Sequence, residues 1–261
     1  MTADAAVTGH LHVARLGTGE PVLLLHGIGG NANSCAPLAA ELAARGHATY
    51  RLDAAGYGRS ADPVDVRHDH ATDVLDVLDD IDPVRPVHLV GTSWGGVVAL
   101  EAARRRPDRV RTLVLADSTR GSGTSPERAA AMRDRVRALR EAGADRFAAE
   151  RAPKLTAPGA PVAVRSRVAA DMAAVRLAGY AAAAEAMATT DHGPILPTLT
   201  VPTLVLVGEH DVVTGVAESQ LLADAIPGAR LVVVADAGHA AIQEQPRTVA
   251  CELVRFWEGA A

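Results

Sequence analysis

The sequence predicts an α/β domain, a mostly parallel sheet between two layers of helices, carrying a separate helical insertion. Three observations lead there. Short apolar runs recur and most stop at glycine or aspartate: 22–25, 48–52, 87–90, 112–116, 203–207 and 231–235. They lack the polar alternation of a half-solvated strand, as strands buried on both faces do. Segments with helical spacing separate them, and one long stretch, about 120–199, has no strand-like run at all.

Taken in order, His10 to Leu16 is expected to pair with 22–25 as an antiparallel hairpin through Gly17-Thr18-Gly19-Glu20. Crossover helices are expected at 37–45, at 70–81 with the stripe Val74, Leu75, Leu78 and Ile81, at 94–106, at 216–226 and at 242–257. Between the halves, four helical segments at 126–142, 144–151, 162–175 and 177–188 are punctuated by prolines. The domain expectation is a core of residues 1–119 and 192–261 with a cap at 120–191, lying over the carboxyl edge of the sheet, where open α/β sheets bind ligands.

Apolar residues make up 48% of 261, enough for a large core, while aromatics at 3% leave the packing to Ala, Val and Leu. The net charge of −5 is unlike a nucleic-acid footprint, and no apolar run is long enough to span a membrane. The Arg104-Arg105-Arg106 run precedes Pro107, where cations suit a helix end. Two distant cysteines, Cys35 and Cys251, form neither a disulfide framework nor a zinc pattern. With no signal-peptide pattern at 1–9, the cytoplasm is the expected compartment. A homodimer is left open as an assembly.

The strongest chemical signal is Gly91-Thr92-Ser93-Trp94-Gly95, G-x-S-x-G between a buried strand and a helix. Glycines permit so tight a turn, the serine hydroxyl is left exposed, and the following helix directs N–H groups at developing negative charge. His26-Gly27-Ile28-Gly29-Gly30 lets backbone approach a substrate, so the N–H groups of Ile28 and Trp94 are the candidate oxyanion hole. His26 is read as organising that loop. No P-loop lysine and no G-x-G-x-x-G is present, which argues against nucleotides.

Asp211 in Gly208-Glu209-His210-Asp211 and His239 in Ala237-Gly238-His239-Ala240 each follow a strand, completing the order Ser, Asp, His. Asp117, at the end of the strand after the nucleophile helix, competes for the acid role; Asp211 is preferred, and Glu209 is read as structural. His68 and His70 flank Asp69 but find no further ligand at metal spacing, so no metal is expected.

These motifs, with Asp53-Ala54-Ala55-Gly56-Tyr57-Gly58-Arg59-Ser60 and Gly96, resemble the α/β-hydrolase superfamily in its lid-bearing branch. Within it the chain is most similar to 3-oxoadipate enol-lactonases, esterases and carbon–carbon bond hydrolases. The resemblance covers essentially the whole chain. It implies an eight-stranded sheet, a cap after the sixth strand, no cofactor, and Ser93, His239 and Asp211 as nucleophile, base and acid. Trp94 stands where many relatives have Met, and Cys35 where many have Trp. Both side chains are expected at the pocket rim, with His26, Gly27 and Gly29 also near the substrate. Asp53 and the Gly56-Tyr57-Gly58 turn are expected to stabilise a loop. The cap, rich in Ala and Val, suggests a small to medium, mostly apolar ester or lactone. The rivals are a ligand sensor, or a redirected biosynthetic enzyme such as a cyclase, carbon–carbon hydrolase or cofactor-free peroxidase.

Overall fold

The computed structural model describes residues 9–259 and the backbone of residues 3–7. In chain order the sheet contains β1 (Ala3–Val7), β2 (Leu11–Leu16), β3 (Glu20–Leu25), β4 (His47–Asp53), β5 (Val87–Thr92), β6 (Val110–Ala116), β7 (Thr203–Gly208) and β8 (Arg230–Val234). They lie side by side as β1-β2-β4-β3-β5-β6-β7-β8. Only β2 runs against the rest, and every pairing from β4 through β8 is parallel. The central strands β5 and β7 are buried at every position, which is why their sequences are unbroken apolar runs.

Alternation sends neighbouring side chains to opposite faces. Leu23, Leu25, Leu89 and Leu113 join one core cluster, and Val22, Leu24, Val90 and Val114 join the other. The helices are α1 (Ala36–Ala43), α2 (His70–Ile81), α3 (Trp94–Arg105), α4 (Pro126–Ala142), α5 (Ala144–Arg151), α6 (Val162–Ala173), α7 (Leu177–Thr189), α8 (Gly215–Ala225), α9 (Ala241–Glu244) and α10 (Pro246–Gly259). From α1 and α10, Leu38, Leu42, Leu253 and Trp257 cover one face; Val74, Leu100 and Leu222 of α2, α3 and α8 cover the other. Each fully buried leucine contributes about 1.5–3 kcal/mol to holding these layers together.

The hairpin expectation is corrected here. β2 pairs with β4, and β3 pairs with β4 and β5, so β4 lies between two strands that are neighbours in sequence. The Gly17–Gly19 turn passes over the start of β4. A Cβ on Gly19 would stand 2.0 Å from the Gly46 carbonyl oxygen, and the φ of +110° there suits only glycine. A turn spanning one intervening strand and a tight hairpin turn use the same residue types. β1 had no counterpart in the sequence reading. The helix expected at 242–257 is two, because Pro246 has no N–H to continue the ladder and begins α10.

Between β6 and β7 the chain forms α4 to α7 and no strand. Ser125 accepts a hydrogen bond from the Arg128 N–H at the start of α4, and Gly143, at φ 76°, ends it. On α7 the buried Ala182, Ala183 and Ala184 let the helices pack closely.

Candidate active site

Ser93 occupies the turn between β5 and α3 with φ 53° and ψ −118°. Its own N–H donates to the Ala116 carbonyl, and the Ser118 hydroxyl donates to its carbonyl, so the turn is held from the neighbouring strand. Close approach demands glycine beside it: a Cβ on Gly95 would lie 2.6 Å from the His26 carbonyl oxygen.

His239, on the loop between β8 and α9, meets the Ser93 hydroxyl with Nε2 at 3.0 Å and an Asp211 carboxylate oxygen with Nδ1 at 2.9 Å. A carboxylate only accepts, so Nδ1 carries the proton and Nε2 is free to take one from serine. Asp211 is itself oriented by the Thr214 hydroxyl at 2.6 Å and the Val213 N–H at 2.7 Å. Burial pushes its carboxyl upward, but the bonds from His239, Thr214 and Val213 outweigh burial and hold it at about 2.

The rival acid is placed elsewhere. Asp117 is fully buried and accepts hydrogen bonds from the N–H groups of Gly208 and Ala241, joining β6 to the two loops that carry Asp211 and His239. Burial, reinforced by the nearby Asp211 charge, raises its carboxyl well above the usual range. Glu209, read as structural, accepts from the Asp236 N–H of the loop that follows β8. Glu244 accepts from Gly238 and from Ala157 of the helical insertion, both at 2.8 Å.

The 26–30 loop, the candidate oxyanion loop, is braced from below. His26 accepts the Ala54 N–H at Nε2, so its Nδ1 donates to the Gly27 carbonyl at 2.8 Å. Burial lowers the pKa of this imidazole, in keeping with the neutral ring that the two bonds require. The His26 bond to the Gly27 carbonyl fixes the peptide plane that carries the Ile28 N–H, and the Tyr57 hydroxyl donates to the Ile28 carbonyl at 3.1 Å, holding the next peptide plane. Asp53 accepts from the N–H groups of Ala32 and Arg59, tying the Gly56-Tyr57-Gly58 turn to the same loop. Trp94 is the first residue of α3, where an N–H has no intrahelical acceptor.

Two lobes of a solvent-connected cavity meet at Ser93, Ile28, Arg135 and Val213. One, of about 700 Å³, also touches Gly27, Gly29, His239 and Arg151; the other, of about 850 Å³, runs toward Thr119 and Met187. Gly27 and Gly29 line the first of these lobes. Cys35 and His26, also expected near the substrate, line neither lobe. Cys35 is in the core under α1, where burial raises its thiol to about 12. The Trp94 indole packs among His26, Tyr57 and His70, with ring centres 5.9, 5.6 and 4.8 Å away, so it is the backbone of Trp94 that lies nearest the site.

Among the cavity residues that no sequence motif marks are Arg135 of α4, Arg151 of α5 and Gln243 of α9. Arg151 lies over the Phe147 ring, and Tyr180 shares a hydrogen bond with Arg135. Burial lowers the pKa of Arg151, and Arg135 adds repulsion. Among the described residues no carboxylate pairs with either guanidinium. The acid that lines the same lobe, Asp171, accepts instead from Ser34 at 2.7 Å and Asn31 at 3.4 Å. No local signal marks these arginines, because only the packing of the insertion turns them inward.

Among the described residues no helix is long and apolar enough to cross a membrane. A model of the alpha/beta hydrolase family matches residues 22–253. The 3-oxoadipate enol-lactonase 2 of Acinetobacter baylyi is 32% identical over 201 residues, covering 75% of this chain and 73% of that protein. A thermophilic esterase from Thermogutta terrifontis superposes with a TM-score of 0.88 at 29% identity, over 100% of this chain and 99% of its own. The enol-lactonase of Burkholderia xenovorans LB400 does so with a TM-score of 0.86 at 26% identity, over 98% and 100%. The match over residues 22–253, together with these relatives, means that the chain belongs to the alpha/beta hydrolase family and is a hydrolase.

Proposed function

We propose that this protein cleaves a small to medium carboxylic ester or lactone through an acyl-enzyme on Ser93. The observation that carries the reading is His239 bonded at once to the Ser93 hydroxyl and to the Asp211 carboxylate. Ser93 attacks the carbonyl carbon as His239 Nε2 takes its proton. The oxyanion rests between the N–H groups of Ile28 and Trp94, and His239 returns the proton to the leaving alkoxide. Water, activated by the same imidazole, then releases the acid. Asp211 keeps the imidazole in the required tautomer, and Asp117 positions the loops without touching the base.

The cavity modifies the apolar substrate suggested by composition. Two guanidiniums without carboxylate partners, Arg135 and Arg151, favour an ester or lactone that also bears a carboxylate or similar anion. Helices α4 to α7 act in this reading as the cap that selects it. Relatives named for esterase and enol-lactonase activity lend support at the level of reaction type. The test is a panel of neutral and anionic esters and lactones, with fluorophosphonate labelling of wild type and Ser93→Ala. Turnover and labelling should both vanish in the folded variant; labelling that persists at another serine refutes the assignment.

A further inference from the structure

The pair His68 and His70, unpromising in sequence, gains partners in the fold. One donor atom from each of His68, His70 and Asp73 lies within 4.8 Å of the other two. Asp73 sits one turn into α2, so its carboxylate returns to the residues that precede and open that helix. His68 Nε2 meets one Asp73 oxygen at 2.6 Å, and His10, between β1 and β2, brings its Nε2 to 3.8 Å from the other. His70 is only 4% exposed, yet both of its ring nitrogens lack a hydrogen-bond partner among the described residues. A buried imidazole with neither nitrogen satisfied is costly and calls for an explanation.

We propose that His68, His70 and Asp73, with His10 as the outer fourth ligand, form a binding site for a divalent transition-metal ion of the zinc type. Three imidazoles and one carboxylate are a donor set that zinc accepts, and four ligand atoms suit its tetrahedral shell. With bonds of about 2.0 Å, tetrahedral ligand atoms lie roughly 3.3 Å apart, so the three inner donors need to change their separations by no more than about 1.5 Å. Access exists, because His68 and His70 border an open surface cleft, while His70 and Asp73 also border a narrow crevice with Trp94. The other charges nearby are Asp76, Asp69 and His26, and Asp69 is already engaged by Arg105.

The site stands apart from Ser93. Its neighbour is the Trp94 indole, packed edge to face with His70 at 4.8 Å. A bound ion would clamp the β1–β2 turn, the segment before α2, and α2 itself. It is a structural clamp, so chelation leaves hydrolysis running.

The test is zinc and cobalt titration of the untagged full chain, followed by calorimetry and by the visible absorption of tetrahedral cobalt. Wild type should bind one equivalent and gain at least roughly 5 °C in thermal midpoint at a hundredfold excess over Kd. His68→Ala and Asp73→Asn should each weaken binding by about 30-fold or more, and His10→Ala by about tenfold. His210→Ala, in the exposed Glu209, His210, Asp236 group, should change nothing. Fluorophosphonate labelling of Ser93 in every variant reports that the fold is intact. Absence of saturable binding, binding that survives both His68→Ala and Asp73→Asn, or loss on His210→Ala would overturn the site.

Discussion

The sheet and the helical insertion are built on different principles. Ser93, Asp211 and His239 sit at the ends of strands whose positions follow from apolar burial on two faces. The insertion shares one apolar cluster with that frame, through residues such as Met172, Tyr180 and Met187, and adds polar bonds at its rim: Asp171 to Ser34 and Asn31, Glu244 to Ala157, Arg120 to Glu218 and Arg176 to Asp62. Apolar burial is non-directional and cooperative, whereas each polar tether exchanges with water for a net gain of only about 1 kcal/mol. The contrast separates rigid chemistry from an adjustable wall that carries Arg135 and Arg151.

The largest expected effect breaks the rigid side. Asp211→Asn should lower kcat by about 10⁴-fold, because the imidazole loses its tautomer control. Asp117→Asn should cost less than about tenfold, since Asp117 bonds backbone and not His239. Steady-state kinetics on one activated ester checks both, and a reversed order would move the acid to β6. Next comes the adjustable side. Arg151→Leu should raise KM for an anionic ester by roughly 30-fold while leaving a neutral analogue within about threefold. Equal losses on both substrates would dismiss the anion reading.

Acid unfolding sharpens the contrast further. Asp211 is held at about 2 in the folded chain against an ordinary 3.8. A depressed carboxyl contributes stability that is complete above the unfolded value and is lost as pH falls through the folded one. That contribution is about 2 kcal/mol, present above about pH 4 and gone below about pH 2. Urea unfolding of wild type and Asp211→Asn should therefore converge as the medium becomes acid; a gap independent of pH contradicts it. The smallest effect concerns a tether. Asp171→Ala should speed hydrogen exchange in α6 about fivefold and leave β5 and β7 unchanged, as local opening costs about 1 kcal/mol less.

Burial on two faces is what made the interior strands readable: 87–90 and 203–207 could be little else. The same logic could not order them, because the Gly17–Gly19 turn is chemically alike whether it closes a hairpin or steps over β4. Around Ser93 the motif needs particular residues at particular steps, so its geometry was legible from Gly91 to Gly95. Arg135 and Arg151 were not legible, since arginines occur all round α4 and only tertiary packing decides which one faces the cavity. Asp73 was missed as a neighbour of His68 for a similar reason: its closeness depends on the helix cap at Asp69 folding the preceding segment back.

The backbone of Ser93 has a consequence for how this protein can evolve. An L-residue at φ 53° and ψ −118° occupies a conformation that costs of order 1–3 kcal/mol and that glycine adopts freely. Random substitution followed by selection for heat tolerance alone would therefore reward Ser93→Gly, a chain that melts later and, on the proposed mechanism, catalyses nothing. Persistence of serine at this turn needs selection on turnover, and a laboratory lineage freed from that requirement should lose the proposed nucleophile early.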